Sequence, residues 1–197
     1  MVNYETLEPF YEKISNVCMY YYQSGETKSV FELMEACMDI EGMPMHCPPH
    51  HFMIPAVLLT ICHQIDGDSI SYLQEDLREA NERAHQVLGG FCGYYGSCGA
   101  AVGVGIFMSI YTQTGPCSEG TWAWTNRAVA EALMDISSID GPRCCKRNSY
   151  LAMLSACKTV EHYLKITLER PDEIACKYYV KNPECKKSIC PFFPKQK

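Results

Sequence analysis

The stretch GGFCGYYGSCGAAVGVGIF, Gly89 to Phe107, decides the fold, because seven glycines and two cysteines are set directly against small and apolar residues. Its continuation from Ser97 to Ile110 predicts a buried helix. Cys92 and Cys98 then lie in the loop and first turn at the positive end of that helix, where thiolates are favoured. The stretch therefore predicts metal chemistry.

Gly99 and Gly103 predict a close contact between this helix and another element. They are four residues apart and share one helical face, and glycine has no Cβ to hold a neighbouring backbone away. A helix contact beside two inert core cysteines is the alternative to a metal site.

The rest of the chain has helical periodicity. Apolar residues recur every three or four positions, and no stretch alternates convincingly with period two. Residues 52–64 are apolar nearly all round, which predicts a central helix, whereas 119–136 places Trp122 on an inward apolar face. The predicted fold class is an all-α, single-domain helical bundle. Its helices are expected near 4–23, 30–40, 52–64, 68–88, 97–110, 119–136 and 148–168. Ser29 followed by Glu32 is a capping-box pattern for the second of these helices.

Length and charge limit the classes of function. With 197 residues and a formal net charge of -6, the chain is expected to form a helical metal-binding domain, 1–168, with a cysteine-rich tail, 169–197, packed on it. The acidic balance offers no basic surface for nucleic acid. No apolar run reaches the roughly 18 residues that a membrane span needs, and the acidic N-terminus does not resemble an export signal. We therefore expect a cytoplasmic protein without nucleic-acid or membrane partners.

Thirteen cysteines are the most informative feature of the composition. Cytosolic thiols are kept reduced, so their default meaning is metal or redox chemistry rather than disulfides. Four of them lie within helical patterns and are predicted to be core residues, since free cysteine also behaves as a small hydrophobe. These four are Cys18, Cys37, Cys62 and Cys157.

The segment GPRCCKRN, ending at Asn148, sets Cys144 and Cys145 among Arg143, Lys146 and Arg147 just before a helix. Cations and a helix N-terminus lower thiol pKa values. They also bind carboxylate or phosphate, so the three basic residues are substrate-binding candidates. The alternative is a solvated basic turn with one cysteine packed inward.

The loop MHCPPHH offers Cys47 together with His46, His50 and His51. Thiolate and imidazole suit zinc, copper or iron. Histidines are also general acids and bases, and we favour His50 and His51 in that role beside a cluster. A surface cap before a helix is the simpler alternative.

The tail holds Cys176, Cys185 and Cys190 in a segment too polar to form a core of its own. Their spacing and the final Cys-Pro suit iron–sulfur ligation, although zinc fits nearly as well. We therefore predict a separate metal ligand set here, the alternative being a flexible tail with spectator thiols.

Taken together, CPPHH, GGFCGYYGSCGA and GPRCCKRN resemble an uncharacterised cysteine-rich family of anaerobic microbes, sometimes fused to a methyltransferase. The chain is also remotely similar to the iron–sulfur domain of L-serine dehydratases and L-cysteine desulfidases. By that resemblance, Cys92 of the Gly-Gly-Phe-Cys turn and Cys144 of Cys-Cys-Lys-Arg-Asn ligate a cluster. Phe91 is an insertion, and the family's middle Cys-Asp-Pro ligand has no counterpart. Cys98 is the nearest substitute, with Cys47 and Cys117 behind it.

The resemblance implies a lyase with a 4Fe-4S cluster whose open iron acts on a small thiol- or hydroxy-carboxylate. Arg143 and Arg147 would hold the substrate carboxylate, and His50, His51 or Cys145 would move the proton. The alternative is a non-catalytic iron–sulfur or zinc module for electron transfer, redox sensing or sulfur carriage. A methyltransferase, a redox protein and a second copy of the chain stay open as partners.

Overall fold

Eight α-helices and no strand are present in the residues that the computed structural model describes, 4–26 and 29–195. The all-α prediction is confirmed; the ends of the predicted domain and tail at 1–3 and 196–197, and residues 27–28, lie outside the described residues. The helices are α1 (Glu8–Ser24), α2 (Val30–Met38), α3 (Pro49–Asp66), α4 (Ile70–His85), α5 (Phe91–Tyr94), α6 (Gly99–Tyr111), α7 (Thr121–Ser137) and α8 (Cys145–Leu164). Two 3-10 turns follow, at Tyr178–Lys181 and Lys187–Ile189.

Helix α3 is the centre of the bundle, as predicted. Every residue from Phe52 to His63 is buried, and the helix packs against α1, α2, α4, α6 and α8. It begins earlier than the apolar pattern, at Pro49, because proline is well tolerated in a first helical turn, where its missing N–H costs nothing. The HCPPHH loop therefore leads directly into the core.

The glycines of α6 allow α3 to approach closely, which confirms the predicted packing contact. A Cβ on Gly99 would lie 2.2 Å from the His51 ring, and one on Gly103 would lie 2.7 Å from the His51 carbonyl oxygen. Both distances are shorter than van der Waals contact. The first turn of α3 and the first turn of α6 are consequently held together, with His51 between them.

Helix α7 is an outer helix, and the prediction that Trp122 faces inward is wrong. Trp122 is 51% exposed, and α7 instead buries Ala128, Ala132 and Ile136. Small residues fill this face because α6 approaches closely: a Cβ on Gly105 would meet the Val129 side chain at 2.3 Å. Periodicity predicted this helix correctly, but it did not predict which residues of α7 pack against the closely approaching α6.

Two local sequence predictions are confirmed at other helices. Ser29 Oγ accepts the Glu32 amide and Glu32 Oε2 accepts the Ser29 amide, which is the predicted capping box of α2. The four cysteines predicted as core are buried. They are Cys18, Cys37, Cys62 and Cys157.

The segment after α8 folds back onto the bundle. Tyr178 and Phe192 are buried in the same apolar core as the helices, and the Phe192 ring lies 5.1 Å from that of Tyr150. The Cys176 amide donates to the Phe192 carbonyl at 2.7 Å and so closes the tail into a loop. Two aromatic anchors therefore place the tail cysteines against the start of α8.

None of the described helices is both long enough and apolar enough to cross a lipid bilayer.

Candidate functional site

The start of α8 is the junction at which the predicted motifs meet. Cys144 is the N-cap residue, and its Sγ accepts the Arg147 amide at 3.4 Å. Lys146 is 1% exposed and Arg147 4%, so this is not a solvated basic turn; only Arg143 is exposed. Burying two cations requires partners for their charge.

Several buried polar atoms around this junction have no hydrogen-bond partner within the described part of the chain. An unsatisfied buried polar group costs about 1–3 kcal/mol, so a concentration of them indicates a place where something else binds. The atoms are His50 Nε2, Lys146 Nζ, Arg147 Nε, Asn148 Oδ1 and Ser149 Oγ.

An open cleft of about 720 Å³ lies on one side of the α8 start, and we call it the bundle cleft. Its wall brings Cys92 and Cys98 to Arg143, Arg147 and Asn148. The Asn148 amide nitrogen donates to Cys98 Sγ at 3.4 Å, and its Oδ1 is the unpartnered acceptor. Thiols, cations and an unpartnered, buried acceptor therefore belong to residues that line the same cleft.

A small cavity of about 20 Å³, more enclosed than the cleft, lies on the other side of the α8 start, and we call it the tail cavity. Four cysteines border it together with Lys146: Cys144, Cys176, Cys185 and Cys190. The sequence grouped the last three as a set, and the structure adds Cys144 from the helix start. The adjacent residues Cys144 and Cys145 therefore lie in different environments, since Cys145 faces the HCPPHH loop.

The HCPPHH loop connects the two sides. The Cys145 amide donates to His46 Nδ1 at 3.3 Å, so the proton of a neutral His46 is on Nε2, 3.2 Å from Glu184 of the tail. His50 Nδ1 lies 3.1 Å from the Cys47 carbonyl oxygen and 3.2 Å from its Sγ. Helix start, loop and tail are therefore tied together by polar contacts.

His51 occupies the contact between α3 and α6. Its Nδ1 lies 2.9 Å from the Val87 carbonyl oxygen, which accepts only, so Nδ1 carries the proton and Nε2 has the free lone pair. Burial lowers the pKa of His51, which keeps the ring neutral near pH 7. The ring packs on Gly99, directly after Cys98, and presents a base beside the cysteine loop.

Burial raises the pKa of Cys98 and of Cys145. The prediction that nearby cations lower the thiol pKa is therefore wrong for Cys145, and burial also outweighs the helix position that was predicted to favour a Cys98 thiolate. Burial and the neighbouring Cys98, Cys47 and Cys144 raise the pKa of Cys145 to about 12. Burial also raises the pKa of Cys98, against hydrogen bonds from Asn148 and the Ala100 amide. Removal from water outweighs the cations for a thiol without a bound metal.

Lys146 has the opposite response to the same environment. Burial lowers its pKa to about 8, although the surrounding thiols, of which Cys47 has the largest effect, act to raise it. Its Nζ lies 5.0 Å from the centre of the Tyr178 ring. This residue, which the sequence marked for substrate binding, lines the tail cavity rather than the bundle cleft.

The predicted site residues thus fall into separate groups. Cys92, Cys98, Arg143 and Arg147 meet at the bundle cleft, whereas Cys144 joins the tail set. Cys117, the last substitute ligand, is exposed. In the described residues, no three Cys, His, Asp or Glu side chains are arranged to hold a single metal ion.

Two asparagines were missed by the sequence analysis. Asn148 bonds to Cys98, and Asn182 donates to Cys144 Sγ at 3.4 Å while its Oδ1 lies 3.3 Å from His46 Nε2. Asn148 lies at a predicted helix start, and only the cysteines around it in the sequence indicated a functional role. Asn182 lies in a polar tail, where the sequence does not distinguish a functional asparagine from an ordinary surface asparagine.

Comparison with known proteins assigns the chain to a family but does not indicate an activity. No curated protein and no solved structure matches it. A family model described as a family of unknown function, DUF5714, matches residues 14–193. That match includes the HCPPHH loop, the glycine stretch, the start of α8 and the three tail cysteines, and the chain belongs to the DUF5714 family.

Proposed function

We propose that this protein is an iron–sulfur-dependent lyase acting on a small thiol- or hydroxy-carboxylate in the bundle cleft. The observation that carries the proposal is the meeting of Cys92 and Cys98 with the unpartnered Arg147 Nε and Asn148 Oδ1 on one cleft. Pockets that bind small molecules combine apolar walls with a few convergent polar groups. Here Leu133 and Ile136 provide apolar wall.

Cys92, Cys98 and Cys145 would hold the cluster, with Cys47 next to Cys145. Cys145 replaces Cys144 in this set, because Cys144 lines the tail cavity, whereas Cys98 and Cys47 contribute to the raised pKa of Cys145 and so lie near its thiol. The Cys98 sulfur is already approached by the Asn148 side chain and by backbone N–H groups of α6, which stabilise a thiolate. A bound cluster with one iron not ligated by cysteine supplies a Lewis acid for the leaving thiolate or hydroxide.

Arg147 and Asn148 would orient the substrate. The Arg147 guanidinium donates from Nη2 to the Pro142 carbonyl oxygen at 3.2 Å, which fixes the plane of the group, and its Nε–H has no partner in the described residues. A carboxylate accepts such a donor in a charge-assisted hydrogen bond. Asn148 Oδ1 would accept from an amino or hydroxyl group on the adjacent carbon, and Arg143 would add charge at the cleft entrance.

His51 is the proposed base, because its ring packs on Gly99, which directly follows the cleft residue Cys98. Its unprotonated Nε2 would take the proton from the carbon next to the carboxylate, and the electron pair of that bond would form the new carbon–carbon double bond. The leaving group departs with the pair of its carbon–sulfur or carbon–oxygen bond. His50 is less suitable, because it is 2% exposed and buried behind Cys47.

The test uses protein purified without oxygen. Its EPR spectrum should change on addition of L-cysteine, L-serine or 3-mercaptopropionate. L-cysteine should yield pyruvate, ammonia and sulfide, and L-serine should yield pyruvate and ammonia. Cys92→Ser should abolish both responses, whereas Arg127→Lys, at an exposed arginine of α7, should leave them intact. A spectrum that ignores every such ligand, together with no product, would overturn the proposal.

A further inference from the structure

The tail cavity has the features of a metal centre that does not depend on the activity proposed for the cleft. Its four cysteines come from separate parts of the chain: Cys144 caps α8, Cys176 precedes the first 3-10 turn, and Cys185 and Cys190 flank the second. Folding of the tail, rather than sequence proximity, brings them to one cavity.

Each of these sulfurs is approached by N–H groups. Cys144 Sγ accepts the Arg147 amide and the Asn182 side chain, both at 3.4 Å, and Cys185 Sγ accepts the Lys187 amide at 3.4 Å. The other two receive backbone N–H groups two residues ahead, Cys176 from Tyr178 and Cys190 from Phe192. Such donors stabilise sulfur in its thiolate form and tune metal–thiolate centres.

The positive charge at the cavity is the second, independent observation. Lys146 is 1% exposed, lines the cavity, and its Nζ has no hydrogen-bond partner within the described residues. Arg147 lines the same cavity and is also buried. Four thiolates on a metal group carry net negative charge, which would provide the partner that these cations otherwise need.

We propose that Cys144, Cys176, Cys185 and Cys190 together hold one thiophilic metal group through four thiolates. Iron–sulfur clusters and zinc share this ligand chemistry. All four cysteines line a common cavity, and the metal and sulfide analysis below distinguishes a cluster from zinc. All four positions are cysteine, so the centre has no open metal site and serves to carry electrons or to fasten the tail.

The fastening role follows from how few apolar side chains anchor the segment. Tyr178 and Phe192 are its buried apolar side chains between residues 170 and 195. Buried Asn182 adds polar contacts with Cys144 and His46, and the Lys177 contact with Asp39 is a surface ion pair of small value. Loss of the metal group should therefore release the tail while the helices persist.

The first experiment measures iron, zinc and acid-labile sulfide per chain in the full-length protein purified without oxygen. Cys185→Ser and Cys190→Ser should each lose one metal group and make residues 170–195 sensitive to protease, whereas Cys117→Ser should match the wild type. Iron with sulfide identifies a cluster, and zinc alone identifies a single ion in the same four-thiolate centre. Unchanged metal content and unchanged tail protection in both variants would overturn the proposal.

A second measurement needs no substitution. Native alkylation followed by mass spectrometry should leave the four tail-cavity cysteines unmodified until a chelator is added, while exposed Cys117 reacts throughout. Reaction of Cys185 at the rate of Cys117 before chelation would also overturn the proposal. Cys92→Ser separates this centre from the cleft: it should abolish the ligand response and preserve the tail protection, so the two proposals fail independently.

Discussion

The tail cavity and the bundle cleft lie on opposite sides of the same helix start but differ in access and composition. The cavity is the more enclosed of the two, about 20 Å³, and is bordered by four cysteines, whereas the cleft is open, about 720 Å³, and has two cysteines beside arginines and an asparagine. A closed set of four thiolates leaves no position for a substrate, whereas an open set does. Under the two proposals, the cavity therefore carries electrons or fastens the tail, and the cleft binds the ligand.

The largest expected effect is a loss of bound metal, which should come from the tail cavity in one variant and from the bundle cleft in another. Cys144→Ser should remove the metal of the tail centre and Cys92→Ser that of the cleft, so the double variant should lose both. Cys18→Ala should keep the wild-type content, since Cys18 is fully buried among apolar helix residues. Metal and sulfide analysis of the four proteins checks this. Equal losses in Cys144→Ser and Cys92→Ser that do not add in the double variant would mean one shared centre.

The next largest effect concerns the close contact between α3 and α6 at Gly103. Gly103→Ala places a Cβ 2.7 Å from the His51 carbonyl oxygen and 3.0 Å from Ile54 Cβ. Because backbone cannot move aside easily, we expect a loss of about 1–3 kcal/mol in the free energy of unfolding, measured with urea. Gly93→Ala is the matched control, since no atom lies within 4 Å of its new Cβ. A Gly103→Ala protein as stable as Gly93→Ala would refute the tight contact.

A smaller effect is expected at the carboxylate-binding end of the cleft. Arg147→Lys keeps the charge but loses the fixed planar donor, so the KM for a thiol-carboxylate should rise roughly tenfold with the cluster retained. Arg143→Lys should have less effect, because Arg143 is exposed and 3.9 Å from Glu184. Steady-state kinetics and the EPR spectrum check both. If Arg143→Lys is the more damaging, the carboxylate binds at the entrance instead.

The smallest effect lies away from both sites and serves as their control. His63 contacts Asp68 and Asp76 at 2.7 and 2.8 Å; burial lowers its pKa, but hydrogen bonds with Asp76 and Asp68 outweigh burial and raise the pKa overall. The stabilisation is therefore complete below the unfolded value of about 6.5 and is lost as pH rises through the folded pKa.

His63→Gln should accordingly cost about 1 kcal/mol more in unfolding free energy at pH 6 than at pH 9, with metal content unchanged. His162→Gln, at an exposed histidine of α8, is the matched control substitution. A cost for His63→Gln that grows with pH would reverse the assigned direction of its pKa.

Much of the fold was accessible from periodicity, and less of the site. The apolar run at 52–64 and the small residues around Gly99 are local patterns that only a central, closely packed helix pair satisfies. The prediction that Trp122 faces inward was wrong, because an outer helix next to glycines buries alanines rather than its largest side chain. The cysteine motifs indicated metal chemistry, but their grouping depends on contacts between distant segments.

The pairing of Cys144 with the tail illustrates this limit. Cys144 and Cys145 are chemically identical and adjacent, yet the helix cap directs one towards the tail cavity and the other towards the HCPPHH loop. The sequence alone determined the all-α class, the central helix, the core cysteines and the capping box, because these follow from local spacing. Only the tertiary structure decided which thiols meet, that Lys146 and Arg147 are buried, and that burial outweighs their charge at Cys145, because desolvation depends on what the rest of the chain packs around each group.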